Sequence, residues 1–77
     1  MKKLIKDYHG FTVDDALRDV EDILYTADPE EFNLIKLITG RGKIHDAVVD
    51  YLDYSEVEWM HEGNNDGVVI VQLPEDL

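Results

Sequence analysis

The run Phe32-Asn-Leu-Ile-Lys-Leu-Ile-Thr39-Gly40-Arg41-Gly42-Lys-Ile-His-Asp-Ala-Val-Val-Asp-Tyr-Leu52 decides the fold. Its first part, Phe32 to Thr39, carries Leu34, Ile35, Leu37 and Ile38 on both faces of an extended chain, which suits a strand covered by helices on at least one side. Gly40, Arg41 and Gly42 break that strand. Beyond them Ile44, Ala47, Val48, Tyr51 and Leu52 recur at helical spacing. A strand, a glycine turn and a helix in that order form one half of an open α/β unit.

Upstream, Leu4 to Tyr8 reads as a strand ended by His9 and Gly10. Thr12 then opens Thr-x-x-Asp, a capping arrangement in which the hydroxyl accepts from the Asp15 amide and the carboxylate reaches back. The helix it starts places Ala16, Leu17, Val20, Ile23, Leu24 and Ala27 on one stripe and leaves Asp14, Arg18, Asp19 and Asp22 for the other face. Asp28, Pro29, Glu30 and Glu31 end it. Downstream, Glu56 to Glu62 alternates Val57, Trp59 and His61 against Glu58, Met60 and Glu62, as a half-exposed strand does. Gly63 to Gly67 is turn-rich, and Val68 to Leu73 is a nearly continuous β-branched run fit for an interior strand. The order βαβαββ, with right-handed crossovers, predicts an α+β two-layer sandwich: a four-stranded mixed sheet with both helices on one face.

Seventy-seven residues leave room for one domain, residues 1–77. A hydrophobic content of 44% argues for a folded chain. The absence of cysteine excludes disulfide scaffolds, zinc ribbons and thiol catalysis and agrees with a reducing cytoplasm, and no stretch approaches the roughly 20 apolar residues of a membrane span. A cytoplasmic location is expected. The net charge is −11, and from Ile44 to Leu77 there are nine acidic side chains and no Lys or Arg. Such a balance weakens binding to phosphate backbones, which rests on Lys and Arg.

The first two strands are expected to be parallel, so their carboxyl ends share the sheet edge where open α/β sheets bind ligands. Asp7 to Gly10 leave the first strand there, and Thr39 to Gly42 leave the second. Gly40 and Gly42 flank Arg41 at a helix entrance, where backbone amides and the helix dipole hold anions and Arg41 adds a bidentate donor. The plainer reading is a tight turn that needs positive φ. His9 is a candidate acid or base near neutral pH, with Asp7 to orient it or to bind a metal. Here the plainer reading is a strand end closed by an Asp7 hydrogen bond.

Together, Asp7-Tyr8-His9-Gly10-Phe11-Thr12-Val13-x-x-Ala16, Ile38-Thr39-Gly40-Arg41-Gly42, Ala47-Val48-x-x-Tyr51-Leu52 and Asp66-Gly67-Val68-Val69-Ile70-Val71-x-Leu73 resemble the Smr (small MutS-related) domain, from about Lys6 to Leu73. The resemblance implies a fold like the carboxyl-terminal domain of translation initiation factor three and nuclease activity on DNA or RNA. It places the family's Leu-Asp-Leu-His motif on Lys6 to His9, making Asp7 and His9 the catalytic candidates. Its His-Gly-x-Gly motif, Thr-Gly-x-Gly in plant organellar members, falls on Thr39 to Gly42. With Lys6 and Lys43 these residues make up the expected phosphate-binding set, and Mg²⁺ or Mn²⁺ is a candidate cofactor. Lys6 and Tyr8 replace leucines, the glycine loop is about two residues short, and His45 stands where a basic residue commonly follows.

His45 and His61 show no metal-ligand spacing, so no metal ligands are assigned. Trp59, Tyr51 and Tyr54 have the spacing of core residues, with room for a wet polar tip. Two functions compete. One is a weak DNA or RNA endonuclease with the phosphodiester at the Gly40 to Gly42 turn. The other is a noncatalytic module on the same fold, binding a basic protein or mimicking nucleic acid through its acidic surface.

Overall fold

The computed structural model describes residues 2–28 and 31–73, with the side chains of Lys2 and Asn33 excepted. Within them the elements are β1 (Lys2–Asp7), α1 (Val13–Thr26), β2 (Phe32–Ile38), α2 (Lys43–Tyr54), β3 (Trp59–Glu62) and β4 (Asn65–Gln72). The sheet order is β1-β2-β4-β3, with β1 parallel to β2 and the other pairs antiparallel. The two helices pack on each other, so they share one face of the sheet. The fold is the expected four-stranded mixed sheet under one helical layer, with β4 as an interior strand.

Strand alternation builds the core. Tyr8 at the end of β1, Ile35 and Leu37 of β2, and Val69 and Val71 of β4 are buried, and they meet Ala16 and Val20 of α1 and Val48 and Leu52 of α2. Complete burial of one such aliphatic side chain contributes roughly 1.5–3 kcal/mol, so the inner face of this small sheet sustains the fold. Thr12 caps α1 by accepting the Asp15 amide at 3.1 Å, worth about 1 kcal/mol. Ala27 turns extended at φ −66° and ψ 132°, and the Asp28 carbonyl accepts the Glu31 and Phe32 amides at 3.0 and 2.8 Å, which leads the chain into β2. The expected terminator also includes Pro29 and Glu30, which lie outside the described residues.

Several boundaries move, each for a local reason. β1 starts at Lys2 because Phe32 gives it a ladder partner, and it stops at Asp7, although the Tyr8 amide still donates to the Ile38 carbonyl at 3.0 Å. β2 ends at Ile38, where the Thr39 amide turns to the Gly67 carbonyl. β3 starts at Trp59 rather than Glu56, since residues 55–57 still close α2: the Val57 amide donates to the Leu52 carbonyl at 2.9 Å, and Glu56 has φ 58°. β4 starts at Asn65 rather than Val68. Gly63 and Asn64 alone make the hairpin turn, and a bulge between Asn65 and Val69 absorbs the extra residues.

Two side chains depart from the expected pattern. Asp19 does not belong to the outer face of α1, because it lies where Tyr8 reaches up from the sheet and accepts its hydroxyl at 2.8 Å. Tyr54 is 88% exposed, since the last turn of α2 runs past the edge of the core; Tyr51 packs against the core and Trp59 is half-buried.

Candidate functional site

Parallel pairing sets Asp7 opposite Ile38 and brings the carboxyl ends of β1 and β2 to one edge. There Asp7, His9, Ile38, Thr39 and Gly40 line a shallow depression of about 250 Å³. Tyr8 creates this arrangement by pointing the other way. Its ring is buried, its edge meets Phe11 at 5.2 Å between centroids, and its hydroxyl is tied to Asp19, so its neighbours Asp7 and His9 are left exposed. Burial pushes the Tyr8 hydroxyl well above its ordinary pKa, and the hydrogen bond to and negative charge of Asp19 push it the same way.

Asp7 Oδ1 accepts the backbone amide of His9 at 2.9 Å, an Asx turn that holds the His9 backbone and leaves its ring free in solvent. Gly10, at φ 81°, completes the reversal toward α1. The other wall is tied to β4. Gly40 has φ 74°, its amide donates to the Gly67 carbonyl at 3.0 Å, and the Thr39 amide donates to the same oxygen at 2.9 Å. A Cβ at Gly67 would lie 3.3 Å from Asn65 Oδ1, a tight contact, and 3.4 Å from the Gly40 Cα, an ordinary one. Thr39 is buried, and its hydroxyl lies 2.9 Å from the Gly40 carbonyl and 3.3 Å from that of Gly67.

The expected site residues therefore separate. Asp7, His9, Thr39 and Gly40 come together in the depression. Arg41, Gly42 and Lys43 stand exposed beside it at the start of α2, where Gly42 is an N-cap that makes no side-chain capping bond. The Gly40 amide is engaged with the Gly67 carbonyl, so an anion at this turn would have to be met by the amides of Gly42 and the first turn of α2. Lys6 does not line the depression, and its ammonium lies 3.8 Å from Asp19. For Mg²⁺ or Mn²⁺ the depression supplies only Asp7 as an acidic ligand, and among the described residues no three His, Cys, Asp or Glu converge. The residues present do not form a cation cage.

Sequence spacing missed one contact. His45 in the first turn of α2 and His61 in β3 bring their Nε2 atoms to 2.8 Å, although sixteen residues separate them. Only the register of β3 against β4 and the seat of α2 above them create this pair. A larger groove of about 550 Å³ lies toward the opposite end of β2, among Leu34, Val57, Trp59, Met60 and Ile70. Asp53, Glu56, Glu58 and Gln72 complete its lining, which includes no histidine, lysine or arginine.

A strand edge with a histidine turn on one side and a glycine turn entering a helix on the other is the local geometry of this two-layer α+β domain. A sequence model of the Smr domain matches residues 6–74, and the chain belongs to the Smr domain family, which is associated with nucleic-acid processing. Solved structures agree. The human small-MutS related domain is 28% identical with a TM-score of 0.74, covering 94% of this chain and 100% of that one. The B3BP Smr domain is 25% identical with a TM-score of 0.77, covering 91% of this chain and 77% of that one. The Smr domain of Thermus thermophilus MutS2 is 23% identical with a TM-score of 0.76, covering 97% and 100%, and shows likeness of fold. A sequence search of curated proteins finds no match.

Proposed function

We propose that the chain is a weak endonuclease that takes a DNA or RNA phosphodiester at the depression between Asp7-His9 and Thr39-Gly40. The observation that supports this reading is the meeting of an exposed imidazole with a glycine turn and an uncapped helix N-terminus at one sheet edge. Arg41, Lys43 and the first amides of α2 neutralise the phosphate. His9 takes the proton of the attacking oxygen, a water or, for RNA, the 2′-hydroxyl. The new phosphorus–oxygen bond forms as the bond to the leaving oxygen breaks, and the leaving oxygen takes a proton from solvent water. Asp7 acts on the backbone of His9, holding the turn that presents the ring.

The test incubates the protein with labelled single- and double-stranded DNA and RNA, with and without Mg²⁺ or Mn²⁺, beside His9→Ala. Loss of a positioned acid or base removes about 100-fold or more of the rate. Cleavage that persists unchanged in the variant sinks the assignment.

One observation favours the noncatalytic alternative: Asp7 spends an oxygen on a backbone amide and does not orient the His9 ring. On that reading the chain binds without turnover, to nucleic acid or, through its acidic surface, to a basic protein. Absence of cleavage on every substrate, with salt-sensitive capture of a basic partner, selects it.

A further inference from the structure

The His45–His61 contact has an unusual form. The ring planes lie 19° apart with centroids 5.1 Å apart, and the two Nε2 atoms are 2.8 Å apart. A five-membered ring with bonds of ~1.33 Å has a radius of about 1.1 Å, so both nitrogens lie on the line between the centroids. The rings meet head to head through nitrogen rather than face to face. His45 Nδ1 lies 3.0 Å from Asp46 Oδ1; an ionised carboxylate only accepts, so Nδ1 carries the hydrogen, and in the neutral ring the Nε2 lone pair then faces His61. His61 then supplies the single Nε2–H between them, and its ring is braced by Trp59, edge-on at 5.1 Å.

We propose that His45 and His61 form a two-imidazole site for a borderline divalent transition-metal ion of the Zn²⁺ type, which takes the place of the shared proton. On binding, the His61 proton moves from Nε2 to Nδ1, so both rings stay neutral and present lone pairs to one point. Zn–N bonds of about 2.0–2.1 Å at a tetrahedral angle place the two nitrogens ~3.3 Å apart, so the pair opens by about half an ångström while the two ring axes, now in line, close together by about 70° to point at the ion. β3 is a four-residue strand at the edge of the sheet, held on one side only.

Three observations support an ion here. The ligands come from two elements that the fold already holds together. A carboxylate on the far nitrogen is the arrangement that orients metal-binding imidazoles and raises their basicity. The net charge of −11 concentrates cations around the chain, and imidazole selects transition metals over Mg²⁺. Among the described residues no third His, Cys, Asp or Glu completes a set of three, so water fills the remaining positions and the ion exchanges freely. Neither His45 nor His61 lines the His9 depression.

The test adds ZnCl₂ to the metal-free 77-residue chain while the histidine ring nitrogens are followed by NMR and thermal unfolding is recorded. One equivalent is expected to shift the Nε2 signals of His45 and His61 together, leave His9 in place and raise the unfolding midpoint; MgCl₂ does none of these. His61→Gln abolishes the joint shift, His9→Gln retains it, and Asp46→Asn weakens the apparent affinity about tenfold. Zn²⁺ that leaves both rings unmoved in the wild-type chain overturns the proposal, whatever the variants do. So does a His45 shift of full size in His61→Gln.

Discussion

Tyr8 occupies a place where the family motif has leucine, and its hydroxyl requires a partner that leucine does not. Asp19 is that partner, and burial of the hydroxyl, reinforced by the hydrogen bond to Asp19 and its negative charge, raises the pKa above the ordinary value near 10. Below pH 10 the folded and unfolded chains both hold the proton. Above it the unfolded chain releases the proton while the folded chain keeps it, so stability falls as pH rises. One such group removes about 1.4 kcal/mol per pH unit past its unfolded pKa. Urea unfolding at roughly pH 9 and pH 11 is expected to show this loss in the wild type and a shallower one in Tyr8→Phe; equal declines would refute the coupling. At neutral pH the same variant costs about 1 kcal/mol, because the Asp19 side chain is 27% exposed and can turn to water. Helical periodicity alone set Asp19 on the outer face, since its role depends on how high Tyr8 reaches from the sheet.

The elements themselves were legible wherever their signals were local. Thr12, the two apolar stripes and the glycine break at Gly40 mark their boundaries within a few residues of chain. The misplaced ends belong to features set by pairing or by backbone conformation. Asn65 joins β4 because Glu62 lies opposite it, and Glu56 leaves β3 because it ends α2 instead. Glu56 sits in the left-handed region at φ 58°, where helices commonly end on glycine. A Cβ in that region costs roughly 1–2 kcal/mol. Glu56→Gly is therefore expected to stabilise the chain by about 1 kcal/mol, less than the full strain because glycine gains freedom in the unfolded state. Chemical denaturation reads it directly, and a destabilised variant would show that the Glu56 side chain contributes a contact worth more than the strain. The site divides in the same way: the meeting of Asp7 and His9 with Thr39 and Gly40 followed from topology, whereas the use of the Gly40 amide by Gly67 required the β4 bulge.

At the scale of the whole molecule, charge decides how firmly a phosphate backbone is held. Five basic residues lie beside the two motifs in sequence, yet the fold scatters them. Lys2 and Lys3 stand at the start of β1, so Lys3 is about 13 Å of strand from Asp7. Lys6 faces Asp19. Arg41 and Lys43 alone of the five flank the depression, and acid farther off is partly screened because the Debye length of roughly 8 Å is well below even the shortest extent of 21 Å. Each phosphate neutralised on a single strand contributes about −0.7 to the slope of log K against log salt, so two give a slope of about −1.4. Anisotropy titrations of a labelled single-stranded oligonucleotide over a range of NaCl are expected to return that shallow slope with weak affinity. Arg41→Ala should halve it. A slope steeper than about −3 would require more cations than this edge presents, and would move the nucleic-acid interface away from the Asp7-His9 depression.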